Sequence, residues 1–169
     1  MRRVALGLGA NLGDRVAALQ GAVDVLSPHL RSPRASGVYE TAPVGGPDQP
    51  DYANAVLVGD TDLEPERILA LAHDAEDAWH RTREVRWGPR TLDVDVLVVG
   101  DLVSDDPDLT LPHPRAHERG FVLVPWAEAD PDAVLPDGRL VAALAADALH
   151  REGSGAVRRR DDVRLEVAT

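Results

Sequence analysis

Residues 81–95 constrain this chain more than any other part of its sequence. The segment ends in Asp93 and Asp95, which open an apolar run from Leu92 to Val99. Two residues spaced i, i+2 on a strand share one face, so these aspartates form a carboxylate pair that suits a hard divalent cation. The same segment carries an arginine cluster and one tryptophan: Arg81, Arg83, Arg86, Arg90 and Trp87. Because guanidinium forks suit phosphate oxygens, the pattern predicts a metal–polyphosphate site beside a strand over 92–99.

Each part of this segment also has a structural interpretation. The two aspartates can be simply hydrated at an exposed strand, although aspartate is depleted in strands and like charges on one face repel. The arginines can form a solvated loop that pairs with surface carboxylates. Trp87 can anchor the loop to the core or offer a stacking surface for a flat ring, and residue type alone favours anchoring.

The composition narrows the possible chemistry. All 18 basic residues are arginine and no cysteine is present, so lysine-based phosphate loops, Schiff bases and thiolate metal sites are excluded. The net charge of −11 argues against a nucleic-acid-binding surface. No apolar run approaches the ~18 residues of a membrane span and no secretory signal is expected, so a cytoplasmic location is predicted.

The order of apolar periods predicts an α+β fold. We expect a ferredoxin-like β-α-β-β-α-β antiparallel sheet core, with an added C-terminal helical and loop layer. The glycines at 7, 9 and 13 favour a tight strand-to-helix turn over a phosphate cradle. The predicted strands are 4–8, 34–41, 52–58, 92–99 and, at the edge, 163–167. Two helices are predicted to be capped by Asp14 and by Thr61 or Asp62, and two more are predicted over 121–129 and 140–149. Loops are predicted at 43–50 and 105–110.

Few aromatic side chains are available to hold a flat ring. Tyr52 and Phe121 border the proposed site segments, and Asn54 could read the donor and acceptor edge of a heteroaromatic ring. Single aromatic residues more often belong to the core, so this indication is weak by itself. His113 lies between two prolines in an extended segment. Phosphate binding and turn stabilisation are equally supported for it.

Taken together, these segments resemble the 6-hydroxymethyl-7,8-dihydropterin pyrophosphokinase family of folate biosynthesis. The resemblance is strongest over residues 86–95, which read RWGPRTLDVD, and covers about residues 4–140. It continues through YETAPVG at 39–45, QPDYANA at 49–55, LPHPR at 111–115 and RGF at 119–121. Three positions depart from the family pattern: His80 stands where glycine is common, Ala10 (before Asn11) where serine is more usual, and Asp108 where some members have a basic residue.

The resemblance implies a reaction and a set of site residues. ATP would transfer pyrophosphate to the hydroxymethyl group of the reduced pterin, with release of AMP. Two Mg²⁺ ions would be held by Asp93 and Asp95, and Arg81 and Arg83 would close over ATP. The implied catalytic residues are Arg81, Arg83, Arg90, Asp93 and Asp95. The implied ATP-binding residues are Glu76, Arg81, Arg83, Trp87, Arg90, Thr110, His113 and Arg119. The implied pterin-binding residues are Thr41, Val44, Tyr52, Asn54, Trp87 and Phe121.

Several expectations about the whole protein accompany this hypothesis. We predict one pyrophosphokinase domain over residues 1–150, followed by a flexible tail at 151–169 with a possible edge strand. The expected partners are ATP and a reduced pterin, without nucleic acid or membrane, and the expected state is a monomer. Loop closure by residues 43–50 and 82–91 is predicted from their Gly, Pro and Arg content. Two alternatives stay open: a different metal-dependent phosphotransferase, and a non-catalytic nucleotide- or pterin-binding module.

Overall fold

A computed structural model describes residues 1–11, 13–42, 51–83 and 92–167, with the backbone alone at 81–83. The strands are β1 (Arg2–Ala10), β2 (Arg31–Ala35), β3 (Val38–Thr41), β4 (Tyr52–Thr61), β5 (Asp93–Val99), β6 (Ser104–Asp106), β7 (Leu109–Leu111) and β8 (Arg158–Arg160). The helices are α1 (Arg15–Leu26), α2 (Pro65–Arg83), α3 (Gly120–Ala129) and α4 (Val141–Glu152). None of these four helices combines the length and the apolar character that a membrane span requires.

Six of the strands form one antiparallel sheet. Their order is β5-β1-β4-β3-β8, and β2 pairs with another part of β4. Helices α1 and α2 pack on one face, and α3 and α4 pack on the other. The predicted α+β antiparallel core is therefore confirmed, and the added C-terminal layer covers the opposite sheet face from the first two helices.

The side-chain alternation of the strands separates two hydrophobic cores. Leu6, Leu8 and Val94 point into the core shared with α1 and α2, where Leu19 is fully buried. The residues that alternate with these along the same strands point to the opposite face of the sheet. That face carries α3, where Trp126 is the largest fully buried side chain. A register shift in the pairing of β1 with β5 lies between Ala5 and Leu6, away from the part of β5 that begins with the aspartates.

The helix starts follow local chemistry. Asp14 caps α1, since its Oδ1 accepts a hydrogen bond from the N–H of Ala17 at 3.0 Å. The predicted cap of α2 at Thr61 or Asp62 is wrong. The first-turn N–H of Ile68 donates to the carbonyl of Glu64, and Pro65 is the first helical residue, where its missing N–H is not needed.

Four sequence-based boundaries need correction. β1 does not end at Leu8 but continues to Ala10, so Gly9 lies in the strand and, like Gly7, is not part of a turn. The predicted strand 34–41 is two strands, because residues 36–37 interrupt it. The predicted loop 105–110 lies largely in the β6–β7 hairpin. The predicted edge strand 163–167 is wrong: the late strand is β8, and it pairs with β3.

The C-terminal segment contacts both the sheet and α1. Leu165 is buried in the core beside α1. The side-chain amide of Gln20 donates to the carbonyl of Glu166 at 2.8 Å and accepts from its N–H at 2.9 Å, so it bonds this backbone as a neighbouring strand would. The predicted flexibility of this tail, and the domain boundary at residue 150, stay predictions.

A polar cluster joins β3 to α3 and β8. The hydroxyl of Tyr39 donates to Glu128 Oε1 at 2.7 Å, and Arg159 Nη2 donates to Glu128 Oε2 at 3.0 Å. Burial, followed by the bond to Glu128, raises the pKa of Tyr39 to about 12. Burial would raise the pKa of Glu128 too. Hydrogen bonds from Arg159, Tyr39 and the Gly37 N–H outweigh that effect and lower it.

We expect Tyr39 to make stability fall at high pH. The folded protein keeps this phenol protonated above its ordinary pKa of 10.0, so its contribution is complete below pH 10 and is lost as pH rises toward about 12. The chain has two tyrosines and neither lysine nor cysteine, so few other groups titrate in this window. Urea unfolding of Tyr39→Phe should show a flatter pH dependence than wild type. Tyr52→Phe is the control, and equal slopes in wild type and Tyr39→Phe would contradict the assignment.

Candidate active site

Two rows of residues run across the sheet and place the candidate site. Asp93 lies opposite Gly9, which lies opposite Asn54. Asp95 lies in the same way opposite Gly7. Directly paired residues share a sheet face, and adjacent strands are ~4.8 Å apart, so Asp93 and Asn54 are separated by roughly 10 Å across β1. The carboxylate pair and the amide therefore face the same side, which is the side that carries α3.

Glycine forms the floor between them. Neither Gly7 nor Gly9 places a side chain over β1, and a Cβ atom built on Gly9 would lie 3.4 Å from Asn54 Oδ1. Glycine inside a strand often marks a place where another group approaches the backbone closely. Sequence reasoning missed this role. The signal was available as the two-residue spacing of the glycines within an apolar strand.

The backbone between the two aspartates is held by α2. Asp93 and Asp95 are exposed, whereas Val94 between them is buried. The N–H of Val94 donates to Glu76 Oε2 at 2.9 Å, and Glu76 itself is 8% exposed. β5 is the end strand of the sheet order, so this side chain supplies an acceptor where a further strand would otherwise lie. Glu76 thus contacts the strand that carries the aspartates.

A cavity of about 430 Å³ lies beside β5. Three of the predicted ATP-binding residues, Glu76, Thr110 and His113, line it together with both aspartates. Asp108 lies in the same wall, where its carboxylate disfavours an anion. The complete lining is Leu69, His73, Glu76, Asp93, Val94, Asp95, Val96, Pro107, Asp108, Leu109, Thr110, His113 and Pro114. The cavity therefore joins the carboxylate pair to the β6–β7 hairpin and to α2.

The aspartate pair fits a hard cation that shares its coordination with substrate. Mg²⁺ is usually held by one or two carboxylates, with water and phosphate oxygens completing its shell. Within the residues described above, no group of three or more His, Cys, Asp or Glu side chains could hold a metal ion alone. Two exposed carboxylates that line one cavity match the first arrangement and not a closed protein cage.

His113 and Thr110 have structural contacts as well as a place in the cavity wall. The N–H of His113 donates to the carbonyl of Leu97 at 2.8 Å, and its Nδ1 accepts from the N–H of Arg115 at 3.3 Å. The turn-stabilising interpretation of His113 is thus supported, and it leaves Nε2 of the ring as the possible donor to a ligand. The Thr110 hydroxyl donates to the carbonyl of Asp106 at 3.0 Å.

Among the described residues, those predicted to bind a flat ring lie at two places. On the sheet, Asn54 Nδ2 donates to Thr41 Oγ1 at 3.1 Å, and Tyr52 lies opposite Thr41 in the β3–β4 register. At the start of α3, the guanidinium carbon of Arg119 lies 5.6 Å from the centre of the Phe121 ring. This distance is within the range of a cation–π contact, so these two side chains are oriented together.

Five predicted site residues have side chains outside the described part of the chain. Val44, Trp87 and Arg90 lie outside the described residues, and so do most of the segments predicted to close, 43–50 and 82–91. The backbones of Arg81 and Arg83 belong to the last turn of α2, which places this arginine pair on the helix that carries Glu76. Their predicted contacts stay predictions.

Comparison with solved structures identifies the fold as one that occurs in HPPK-DHPS chains. A triple mutant of Plasmodium falciparum HPPK-DHPS with pteroate matches 94% of this chain with a TM-score of 0.73 and 14% sequence identity. An HPPK-DHPS in complex with substrates matches 99% with a TM-score of 0.74 and 11% identity. This chain covers 46% and 48% of those two chains, so the likeness concerns one part of each.

Sequence comparison is more specific. The family model of 7,8-dihydro-6-hydroxymethylpterin-pyrophosphokinase (HPPK) matches residues 5–131. A 2-amino-4-hydroxy-6-hydroxymethyldihydropteridine pyrophosphokinase from Methylorubrum extorquens is 44% identical over 86% of this chain and 93% of its own length. A pyrophosphokinase of the same name from Mycobacterium tuberculosis is 43% identical over 80% of this chain and 76% of its own length. One from Bacillus subtilis is 43% identical over 73% of this chain and 75% of its own length.

The chain therefore belongs to the HPPK family, and it is a pyrophosphokinase of folate biosynthesis. Its substrates are ATP and a pterin, as the family resemblance in the sequence implied.

Proposed function

We propose that this protein transfers pyrophosphate from ATP to the hydroxymethyl group of 6-hydroxymethyl-7,8-dihydropterin at the groove between β5 and β4. The observation that carries this proposal is the row that joins Asp93 to Asn54 across Gly9. It aligns a carboxylate pair suited to a metal–phosphate complex with an amide suited to a heteroaromatic edge. Gly9 adds no side chain of its own to the space between them.

The polyphosphate end of this site is the cavity beside β5. Asp93 and Asp95 are the residues that would hold Mg²⁺, with two ions as the family resemblance implies. Bound Mg²⁺ would neutralise phosphate charge and orient the polyphosphate for in-line displacement. Thr110 and His113 line the same cavity and would contact ATP, and the Nδ1 bond of His113 would keep its ring oriented. Arg81, Arg83, Arg90 and Arg119 are the proposed phosphate-binding cations, and Trp87 is a proposed lining residue.

The pterin end lies across β1 from the carboxylates. Asn54 would bond the edge of the ring, with its orientation fixed by Thr41. Tyr52 and Phe121 would stack on the faces of the ring, and Val44 and Trp87 would complete the pocket. Because β1, β4 and β5 are paired strands, the acceptor hydroxyl and the phosphates would be held in a rigid frame. Positioning and charge neutralisation then account for most of the rate enhancement.

Two properties of the whole protein belong to the same proposal. We expect a monomer, because the proposed site uses residues of one chain only. We expect it to act in the cytoplasm, where its nucleotide substrate is available. Sedimentation of the purified protein checks the first expectation, and a dimer at micromolar concentration would contradict it.

Product analysis tests the proposed reaction. The protein is incubated with ATP, Mg²⁺ and 6-hydroxymethyl-7,8-dihydropterin, and the nucleotide products are separated. We expect AMP in equimolar amount with the pyrophosphorylated pterin, and no turnover when EDTA is added. ADP in place of AMP would indicate a different phosphotransferase, and binding of both substrates without turnover would indicate a binding module.

A further inference from the structure

We propose that Glu152, the last residue of α4, is a positioning residue for the pterin end of the site. Its carboxylate holds the start of α3, which carries Phe121 of the proposed pterin pocket and, at the N-cap, Arg119 of the proposed phosphate-binding set. This inference rests on the proposed function, because the proposed function assigns the roles of Arg119 and Phe121. Glu152 lies outside the matched family region of residues 5–131 and outside the sequence motifs that carried the resemblance.

The end of α4 contacts the backbone on both sides of Arg119. The N–H of Gly120 donates to Glu152 Oε2 at 3.0 Å. The neighbouring Arg151 donates through Nη2 to the carbonyl of Glu118 at 3.3 Å. Arg151 and Glu152, which lie more than thirty positions after Arg119 in the sequence, thus bind the backbone of the residues immediately before and after it.

The N-terminus of α3 has no cap of its own. Its N-cap residue is Arg119, which makes no side-chain capping bond. The first-turn N–H groups of a helix carry a positive partial charge and need acceptors, and Glu152 supplies a charged one. A carboxylate at the C-terminal end of its own helix is unfavourably placed. The contact with α3 therefore gives a physical reason for an acidic side chain at this position.

Gly120 leaves the space that this carboxylate occupies. A Cβ atom at residue 120 would lie 2.7 Å from Glu152 Oε1, closer than non-bonded atoms approach. A methyl group there would displace the carboxylate and weaken the hydrogen bond. Gly120→Ala should therefore reproduce the effect of losing Glu152 without a change at residue 152.

The contact affects ligand orientation because the middle of α3 is buried in the core, whereas its first turn is partly exposed. Trp126 and Leu123 are buried in the core, which fixes the body of the helix. Phe121 is only half-buried, and its ring is paired with the Arg119 guanidinium. When the first turn loses its acceptor, this end of α3 can fray, and both side chains change direction together.

Pterin binding by Glu152→Ala tests the inference, with Asp147→Ala as the control because Asp147 is an exposed carboxylate on the same helix. Binding is measured by pterin fluorescence in the presence of a non-hydrolysable ATP analogue and Mg²⁺. We expect Glu152→Ala and Gly120→Ala to raise the Kd for the pterin about tenfold, the size of effect expected for one charge-assisted hydrogen bond. Steady-state assays should show a similar rise in the KM for the pterin, with a smaller change in kcat.

Rescue and amide exchange separate positioning from general stability. Glu152→Gln keeps an acceptor oxygen and should recover most of the pterin affinity, and Asp147→Ala should bind as wild type does. Without substrate, amide hydrogen exchange at residues 120–122 should be faster in Glu152→Ala. Unchanged exchange there, or equal pterin Kd values for wild type and Glu152→Ala, would overturn the inference. A wild-type protein that forms no AMP would instead overturn the proposed function, and the exchange measurement would still decide the contact.

Discussion

Asp95→Asn is expected to reduce AMP formation about 10³-fold while the protein stays folded. The substitution keeps the size of the side chain but removes the charge that would hold Mg²⁺ against the polyphosphate, and loss of such electrostatic stabilisation typically costs 10²–10³ in kcat. Asp95 is exposed, and its charge repels that of Asp93 on the same strand face. The melting temperature should therefore stay equal or rise slightly. Both quantities are measured on the same preparation, by AMP release and by thermal unfolding.

The control for this variant is Asp101→Asn, an exposed carboxylate just beyond the other end of β5. It changes the net charge by the same amount and should leave turnover within about twofold, because a surface charge of this kind contributes little. If Asp95→Asn keeps more than a tenth of wild-type turnover at saturating Mg²⁺, the assignment of the metal site to this carboxylate is wrong.

Glu76→Ala should have the second large effect, on both stability and turnover. It leaves the N–H of buried Val94 without its acceptor, which costs ~1–3 kcal/mol in the free energy of unfolding. Val94, which spaces the two aspartates, then loses its hydrogen bond to α2, so we also expect turnover to fall at least tenfold. Urea denaturation and AMP release measure the two effects.

Glu76→Gln separates the two roles of this residue. The amide oxygen can still accept from Val94, so stability should be largely recovered, and Asp77→Ala on the exposed side of α2 should match wild type. If Glu76→Ala unfolds at the wild-type urea concentration, the bond to Val94 does not contribute to stability.

The sequence predicted those parts of the site that depend on local pattern. The i, i+2 spacing of Asp93 and Asp95 in an apolar run predicted a strand with both carboxylates on one face, and the structure confirms it. Phe121 was placed at the start of a predicted helix, and α3 begins one residue earlier. These features are encoded within a few residues, so periodicity and turn chemistry were sufficient.

Features that depend on distant partners were missed. The strand was predicted to end before Gly9, because glycine is a strong turn signal when the strands on either side of it are unknown. β8 was placed a few residues too late. Its residues Arg158–Arg160 have no apolar alternation, and they form a strand through pairing with β3. Glu76 was assigned only by resemblance, and its bond to Val94 required the packing of α2 on β5.

The bond between Glu76 and Val94 also bears on self-association. An end strand of a sheet exposes backbone donors and acceptors that can pair with another molecule and lead to aggregation. Here a side chain of the same protein already occupies one such donor on β5, and two aspartates make the strand acidic. At the opposite end of the order, β8 is three arginines long. The aspartates proposed to hold Mg²⁺ would therefore also oppose growth of the sheet by edge-to-edge addition at β5.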